Sequence, residues 1–186
     1  MSNFKVSKMV TSILVGLGLC LFLTLCLLIY FLPKKVQYVE SIVVDAPVNK
    51  VYDAVRYQEQ LMDWSAWPKE TKSTCKVQNE DGTIGAQIIY MNLKGKKFGY
   101  QEITGLTKNE KITFYLKSFV APFEDDVRMT FYFRVMAENQ TEVQLFFDET
   151  LKKPQFLIAY FGGIIKWVHS MHLKDLNYLK AYVEPK

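Results

Sequence analysis

The residues best equipped for chemistry lie near the C-terminal end, where His172 and Asp175 stand three apart in a stretch of helical periodicity. At that spacing on a helix, two side chains face the same way. A carboxylate so placed can orient an imidazole and favour its cation, an arrangement suited to acid–base work or to holding a polar ligand head. The competing expectation is structural, a histidine satisfied at a helix–sheet contact. His169 and His172 also share a helix side, but no His-Glu-x-x-His sequence or cysteine pair accompanies them, so no metal centre is expected. Cys75 has no adjacent histidine, and Gly82-Thr-Ile-Gly85 reads as a hairpin turn, not a phosphate loop. No cofactor is predicted, and binding is favoured over catalysis.

The element that must carry this pair runs from Pro154 to Val183. Its apolar residues Phe161, Ile165, Val168, Leu176, Leu179 and Val183 recur in steps of three, four or a multiple, with no internal proline. One helix of about 30 residues, roughly 45 Å long, is expected, with Gly162-Gly163 inside it. Its stripe needs a large cover, and the preceding chain reads as the strands to supply one. Val36–Val44 is rich in β-branched residues. Pro47 then suits the first turn of a short helix with Val48, Val51, Tyr52 and Val55 on its apolar face, and a second short helix spans Gln58–Asp63. The proline of Trp64-Ser-Ala-Trp67-Pro ends any helix at or before Trp67.

Six strands are expected next: Thr71–Asn79, Gly85–Leu93, Phe98–Leu106, Lys111–Phe119, Val127–Met136 and Val143–Thr150, joined by polar turns. The clearest alternation sets Val127, Met129, Phe131, Phe133 and Val135 against Arg128, Thr130, Tyr132 and Arg134; Val143, Leu145 and Phe147 point inward on the last strand. Glu124-Asp-Asp126 reads as a solvated turn. Phe119, Phe123, Phe156 and Phe161 either line an opening or belong to the core. The order predicts an α+β fold: a curved antiparallel sheet of about seven strands around a long C-terminal helix, with two short helices after strand 1.

Ahead of this domain, Met9–Leu32 carries no charge over 24 residues, enough as a helix to cross a ~30 Å hydrocarbon core. The expected organisation is a tail at 1–8, a transmembrane anchor at 9–32 and a ligand-binding domain at 33–186. The rival, a cleavable signal peptide, fits less well: the apolar run is long and no small-x-small site precedes the lysines. Lys5 and Lys8 nearly balance Lys34 and Lys35; the short tail favours a domain outside the cytoplasm. Residues 36–186 hold 19 basic and 19 acidic side chains, so the +4 net charge comes from the anchor's flanks. A neutral domain argues against a nucleic-acid partner, and the apolar N-terminal run makes the lipid bilayer an expected one.

Four stretches together are similar to those of a known group: Leu32-Pro-Lys-Lys35, Ser41-Ile-Val-Val-Asp-Ala-Pro47 followed by Val51-Tyr52, Trp64-Ser-Ala-Trp67, and Glu102-Ile-Thr104 with Asn109-Glu-Lys-Ile-Thr-Phe114. They resemble the helix-grip superfamily of START lipid-transfer domains, birch-pollen-allergen-like proteins and polyketide cyclases, in particular its membrane-anchored bacterial polyketide-cyclase-like branch. Leu61-Met62 and Ala66 depart from the pattern, where a Trp-Pro pair and a proline are usual. His172 stands where such proteins commonly carry a large apolar residue. The resemblance implies a cavity between sheet and helix for a lipid, an isoprenoid or an aromatic compound. The expected lining is Trp64, Trp67, Phe131, Phe133, Leu145, Phe147, Ile165, Val168 and His172, with the tryptophans as a gate or as packing. Two alternatives to ligand binding are a cyclase- or dehydratase-like enzyme using His172 and Asp175, and an interaction scaffold whose cavity has closed.

Overall fold

The computed structural model describes residues 2–31, 34–120, 126–151 and 155–185. Leu32 and Pro33 of the first motif, Phe123, most of the acidic turn at 124–126 and the helix start at Pro154 lie outside the described residues. The chain divides into two units, Met1–Lys34 and Lys35–Lys186.

The first unit is helix α1 (Ser2–Phe31), within which Lys8–Phe31 is long and apolar enough to cross a membrane. The second is built on one antiparallel sheet of seven strands: β1 (Lys35–Val44), β2 (Thr74–Gln78), β3 (Gln87–Met91), β4 (Lys97–Thr107), β5 (Lys111–Ser118), β6 (Asp126–Ala137) and β7 (Gln140–Thr150). Its order is β1-β7-β6-β5-β4-β3-β2, so a six-strand meander folds back and the first strand joins the last. In β6 the alternation holds where it decides the packing, with Met129, Phe131 and Phe133 buried between exposed Arg128, Tyr132 and Arg134. Val135, expected on the inner face, is 59% exposed; it is the last regular pair with β7 before the register shifts between Val135 and Ala137.

Three short helices, not two, cross from β1 to β2. These are α2 (Val48–Arg56), α3 (Gln58–Trp64) and α4 (Ala66–Thr71). Pro68 falls in the first turn of α4, where a missing N–H is harmless, and the Ser65 hydroxyl accepts from Trp67 N at 3.2 Å. The next strand starts late for the same reason, since α4 runs on to Thr71 and Lys72 turns left-handed at φ 51°. Val51, Tyr52 and Val55 of α2 are buried, and Tyr52 meets Phe133 edge-to-face at 5.4 Å.

The C-terminal helix departs most from expectation. It is broken into α5 (Gln155–Phe161) and α6 (Ile164–Val183) at Gly162-Gly163. Gly163 adopts φ 73°, a left-handed conformation that L side chains avoid, and a Cβ on Gly162 would meet the Ile158 carbonyl oxygen at 2.5 Å. The break re-aims the stripe. Phe156 and Ala159 of α5 turn inward, while Phe161 is 70% exposed. On α6 the buried residues are Met171, His172, Asp175, Leu176, Leu179 and Val183, and this face packs on β1, α2 and α4. A curved seven-stranded sheet gripping a long C-terminal helix is the helix-grip fold.

The break is testable. Gly163→Ala should cost about 1–2 kcal/mol through backbone conformation alone, because the space around it is open. Gly162→Ala should cost more, since it also clashes with the Ile158 carbonyl. Urea unfolding of the full chain in detergent measures both, and wild-type stability in the two variants would contradict a real interruption.

Candidate functional site

The interior of the sheet is filled unevenly along its strands. At one end Phe114, Phe131 and Leu145 are buried together, with Ile112 opposite Phe131 and Phe131 opposite Leu145 in the register. At the other end, marked by the pairs Gly99↔Ser118, Leu116↔Val127 and Val127↔Glu149, lies a cavity of about 310 Å³. Its wall is mostly apolar, including Leu116, Val127, Phe147, Ile165, Trp167 and Val168. β1 enters the sheet at this same end, with Lys35 opposite Thr150.

The structure therefore separates the expected lining residues into two groups. Trp67, Phe147, Ile165, Val168 and His172 share the cavity wall. Trp64, Phe131, Phe133 and Leu145 lie in the packed core away from it. Trp64 is fixed there by its indole N–H, which donates to the Ala54 carbonyl at 2.9 Å. Trp67 instead forms part of the wall, edge-to-face with Trp167 at 5.3 Å.

His172 and Asp175 are both buried on α6, but each is engaged by a different element. One Asp175 oxygen, Oδ1, accepts from Ala66 N at 2.7 Å and Ser65 Oγ at 3.1 Å, and the Trp67 side chain donates a further hydrogen bond to the carboxylate. The carboxylate thus ties α6 to the start of α4 and so positions Trp67. Burial pushes its pKa up to about 7 against the opposing pull of these donors. His172 Nδ1 lies 2.6 Å from the Tyr38 hydroxyl, across from β1. Burial, with a smaller contribution from His169, lowers its pKa to about 3, so the ring is neutral. The Tyr38 phenol is raised well above its ordinary range by burial, then by Glu149 and Glu40, and keeps its proton. His169 faces outward instead, 2.6 Å from Glu40. The two residues singled out from spacing share a helix face without forming a dyad.

Sequence reasoning missed Tyr38, Tyr90, Gln101 and Trp167. The signal for Tyr38 was present: Val36, Tyr38, Glu40, Ile42 and Val44 are alternate positions in β1, all less exposed than their neighbours. Tyr90 and Gln101 line the cavity from adjacent strands β3 and β4. Nothing local distinguishes them from other inward strand positions. Among the described residues, no three His, Cys, Asp or Glu side chains gather as a metal site would require.

The two buried groups make opposite contributions to stability with pH. Asp175 binds its proton more tightly when folded, so its contribution is full below 3.8 and is lost as pH rises to about 7. His172 binds its proton less tightly when folded, so its contribution is full above 6.5 and is lost as pH falls to about 3. In the overlap between 3.8 and 6.5 the slopes oppose one another. Relative to wild type, Asp175→Asn should gain stability as pH rises through that window and His172→Gln should lose it, each by up to ~1 kcal/mol per pH unit. Denaturant unfolding at a series of pH values reads both signs. Parallel profiles in all three proteins would contradict the assignment.

Comparison with known proteins bears on this geometry. The profile of the family described as Activator of Hsp90 ATPase homolog 1-like protein matches residues 45–158. No curated protein matches the sequence. Among solved structures, a protein of Chromobacterium violaceum superposes with a TM-score of 0.60 at 18% identity, over 83% of this chain and all of its own (100%). A protein of Nitrosospira multiformis gives 0.59 at 18% identity, over 80% of this chain and 97% of its own. The major latex-like protein 151 of Panax ginseng gives 0.55 at 12% identity, over 82% of this chain and 100% of its own. Likeness at these identities concerns the fold, and it supports the helix-grip resemblance seen in the sequence motifs. The family match covers more than half of the residues, from the three short helices through β7, and on that ground the chain belongs to the Activator of Hsp90 ATPase homolog 1-like protein family.

Proposed function

We infer that the protein is a membrane-anchored binding module that holds a hydrophobic small molecule, a lipid, isoprenoid or aromatic compound, between its sheet and C-terminal helix. The observation that carries this is the cavity of about 310 Å³ with its largely apolar wall, within the size range of small-molecule sites. Helix-grip folds often bind hydrophobic ligands. Membrane attachment is supported by the apolar stretch Lys8–Phe31. Only residues 32–34 separate α1 from β1, whose first residues enter the sheet at the cavity's end. A tether keeps a cavity at high local concentration of bilayer-soluble ligands. The alternatives draw less support. A His172–Asp175 acid–base pair does not form, and a scaffold with a closed interior does not fit an open cavity.

Delipidated full-length protein exposed to a membrane-lipid extract should retain a defined apolar species by native mass spectrometry. Val168→Trp should fill the cavity and reduce retention at least tenfold with circular dichroism unchanged. Retention that is absent in wild type, or unaffected by filling, would overturn the binding role. The short N-terminal tail supports a domain outside the cytoplasm: a C-terminal alkaline phosphatase fusion should then be active and a green fluorescent protein fusion dark, and the reverse pattern would put the domain inside.

A further inference from the structure

Among the described residues, the buried side-chain polar atoms without a hydrogen-bond partner are Nε2 and Oε1 of Gln58, Nε2 of Gln101 and Nε2 of His172. Gln58 lies away from the cavity, but Gln101 and His172 belong to its wall, on opposite sides: β4 supplies one and α6 the other. Both residues are almost fully buried, at 3% and 1% exposure. Buried polar groups are nearly always paired, so two unpaired nitrogens in the wall of one largely apolar cavity require an explanation.

The chemistry of both atoms can be assigned. The amide nitrogen of Gln101 can only donate. The tautomer of His172 follows from its partner. Tyr38 keeps its phenolic proton, and among the described residues its hydroxyl is paired with His172 Nδ1. The phenol therefore donates to Nδ1. Since the ring is neutral, its own proton resides on Nε2. Both unpaired atoms are thus donors; the imidazole is fixed from behind by Tyr38, which itself stacks on Phe147 at 4.9 Å, and Gln101 is carried by the central strand β4.

Resting on the proposed binding role, we propose that the ligand is an apolar molecule carrying a carbonyl-class acceptor, such as a ketone, quinone or ester oxygen, received by His172 Nε2–H and Gln101 Nε2–H. A pure hydrocarbon would leave both donors unpaired after binding. An acceptor-only oxygen that displaces their side chains slightly toward it can pair these donors and brings no donor of its own that must be satisfied in the apolar wall. The departure at His172 from the large apolar residue common in similar proteins becomes the specificity element of this chain, and Tyr38 its positioning residue.

Two probes of nearly equal shape separate the possibilities: 2-acetylnaphthalene, which carries a ketone, and 2-isopropenylnaphthalene, in which a CH₂ replaces the oxygen. Binding to the full-length protein in detergent is measured by equilibrium dialysis against protein-free micelles, which corrects for partition. Wild type should prefer the ketone by at least about tenfold, because a site built to hydrogen-bond a group rejects the analogue lacking it. His172→Phe and Gln101→Leu should each reduce that preference while still binding the alkene. The ¹⁵N resonance of His172 Nε2 in wild type should shift with the ketone and not with the alkene, a readout independent of whether the variants fold. Equal binding of both probes by wild type would overturn this inference and leave the cavity role standing. Failure of both probes to bind above the micelle blank would overturn both.

Discussion

The arrangement depends on one buried carboxylate. Asp175 sits in the middle of a largely apolar helix face and accepts hydrogen bonds from Ser65 and Ala66, where α3 gives way to α4. Removing a carboxylate from water is costly unless its oxygens are satisfied, so the site persists only because the turn supplies those donors. The same contact sets the direction of α4 and hence the position of Trp67. The tryptophan then bridges to Trp167 and closes one side of the cavity. A single polar contact between distant segments thereby shapes an apolar space. Its raised pKa records the tension between burial, which favours the acid, and the donors, which favour the anion.

The second constraint is the uneven filling of the sheet. Toward the α2 end, Phe114, Phe131 and Phe133 supply enough volume to pack solidly, aided by Tyr52. Toward the opposite end the inward positions include Gly99, Gln101 and Val127, and α6 contributes Ile165 and Val168 across the gap. The break at Gly162-Gly163 matters here, because it lets α5 bring Ala159 to the wall where a continuous helix would have extended the stripe. Interiors normally close to near-crystalline density, so a space of this size persists only where the surrounding elements are held apart by their own packing. The polar groups around it are also placed by long-range contacts: Tyr38 reaches His172 across 134 residues of sequence.

Much of the architecture was legible in the chain. Strand alternation in β6 and β7 identified the buried phenylalanines, and the uncharged N-terminal run identified the one helix long enough to cross a membrane among the described residues. The strand order closes as the meander implies, because short turns leave antiparallel pairing as the near neighbour solution. Local signals failed where two features competed. Pro68 was read as a stop, yet proline is equally at home in a first turn, and Ser65 supplied the cap that started α4. Periodicity puts the two glycines inside a helix that they in fact interrupt, since helical spacing on either side cannot reveal a left-handed residue between.

The candidate site shows where this legibility ends. Helical spacing alone established that His172 and Asp175 face the same way, and that they stand out on an apolar face. It could not establish their partners, because the nearest polar atoms belong to Tyr38 and Ala66, more than 100 residues earlier. Inwardness was likewise a property of the sequence, but which inward residues pack and which border a cavity was not. Trp64 and Trp67 are equally aromatic, three positions apart, and one is core while the other is wall. Periodicity is a local property of one element, whereas a cavity is the volume left over when several elements meet; only the tertiary structure decides it.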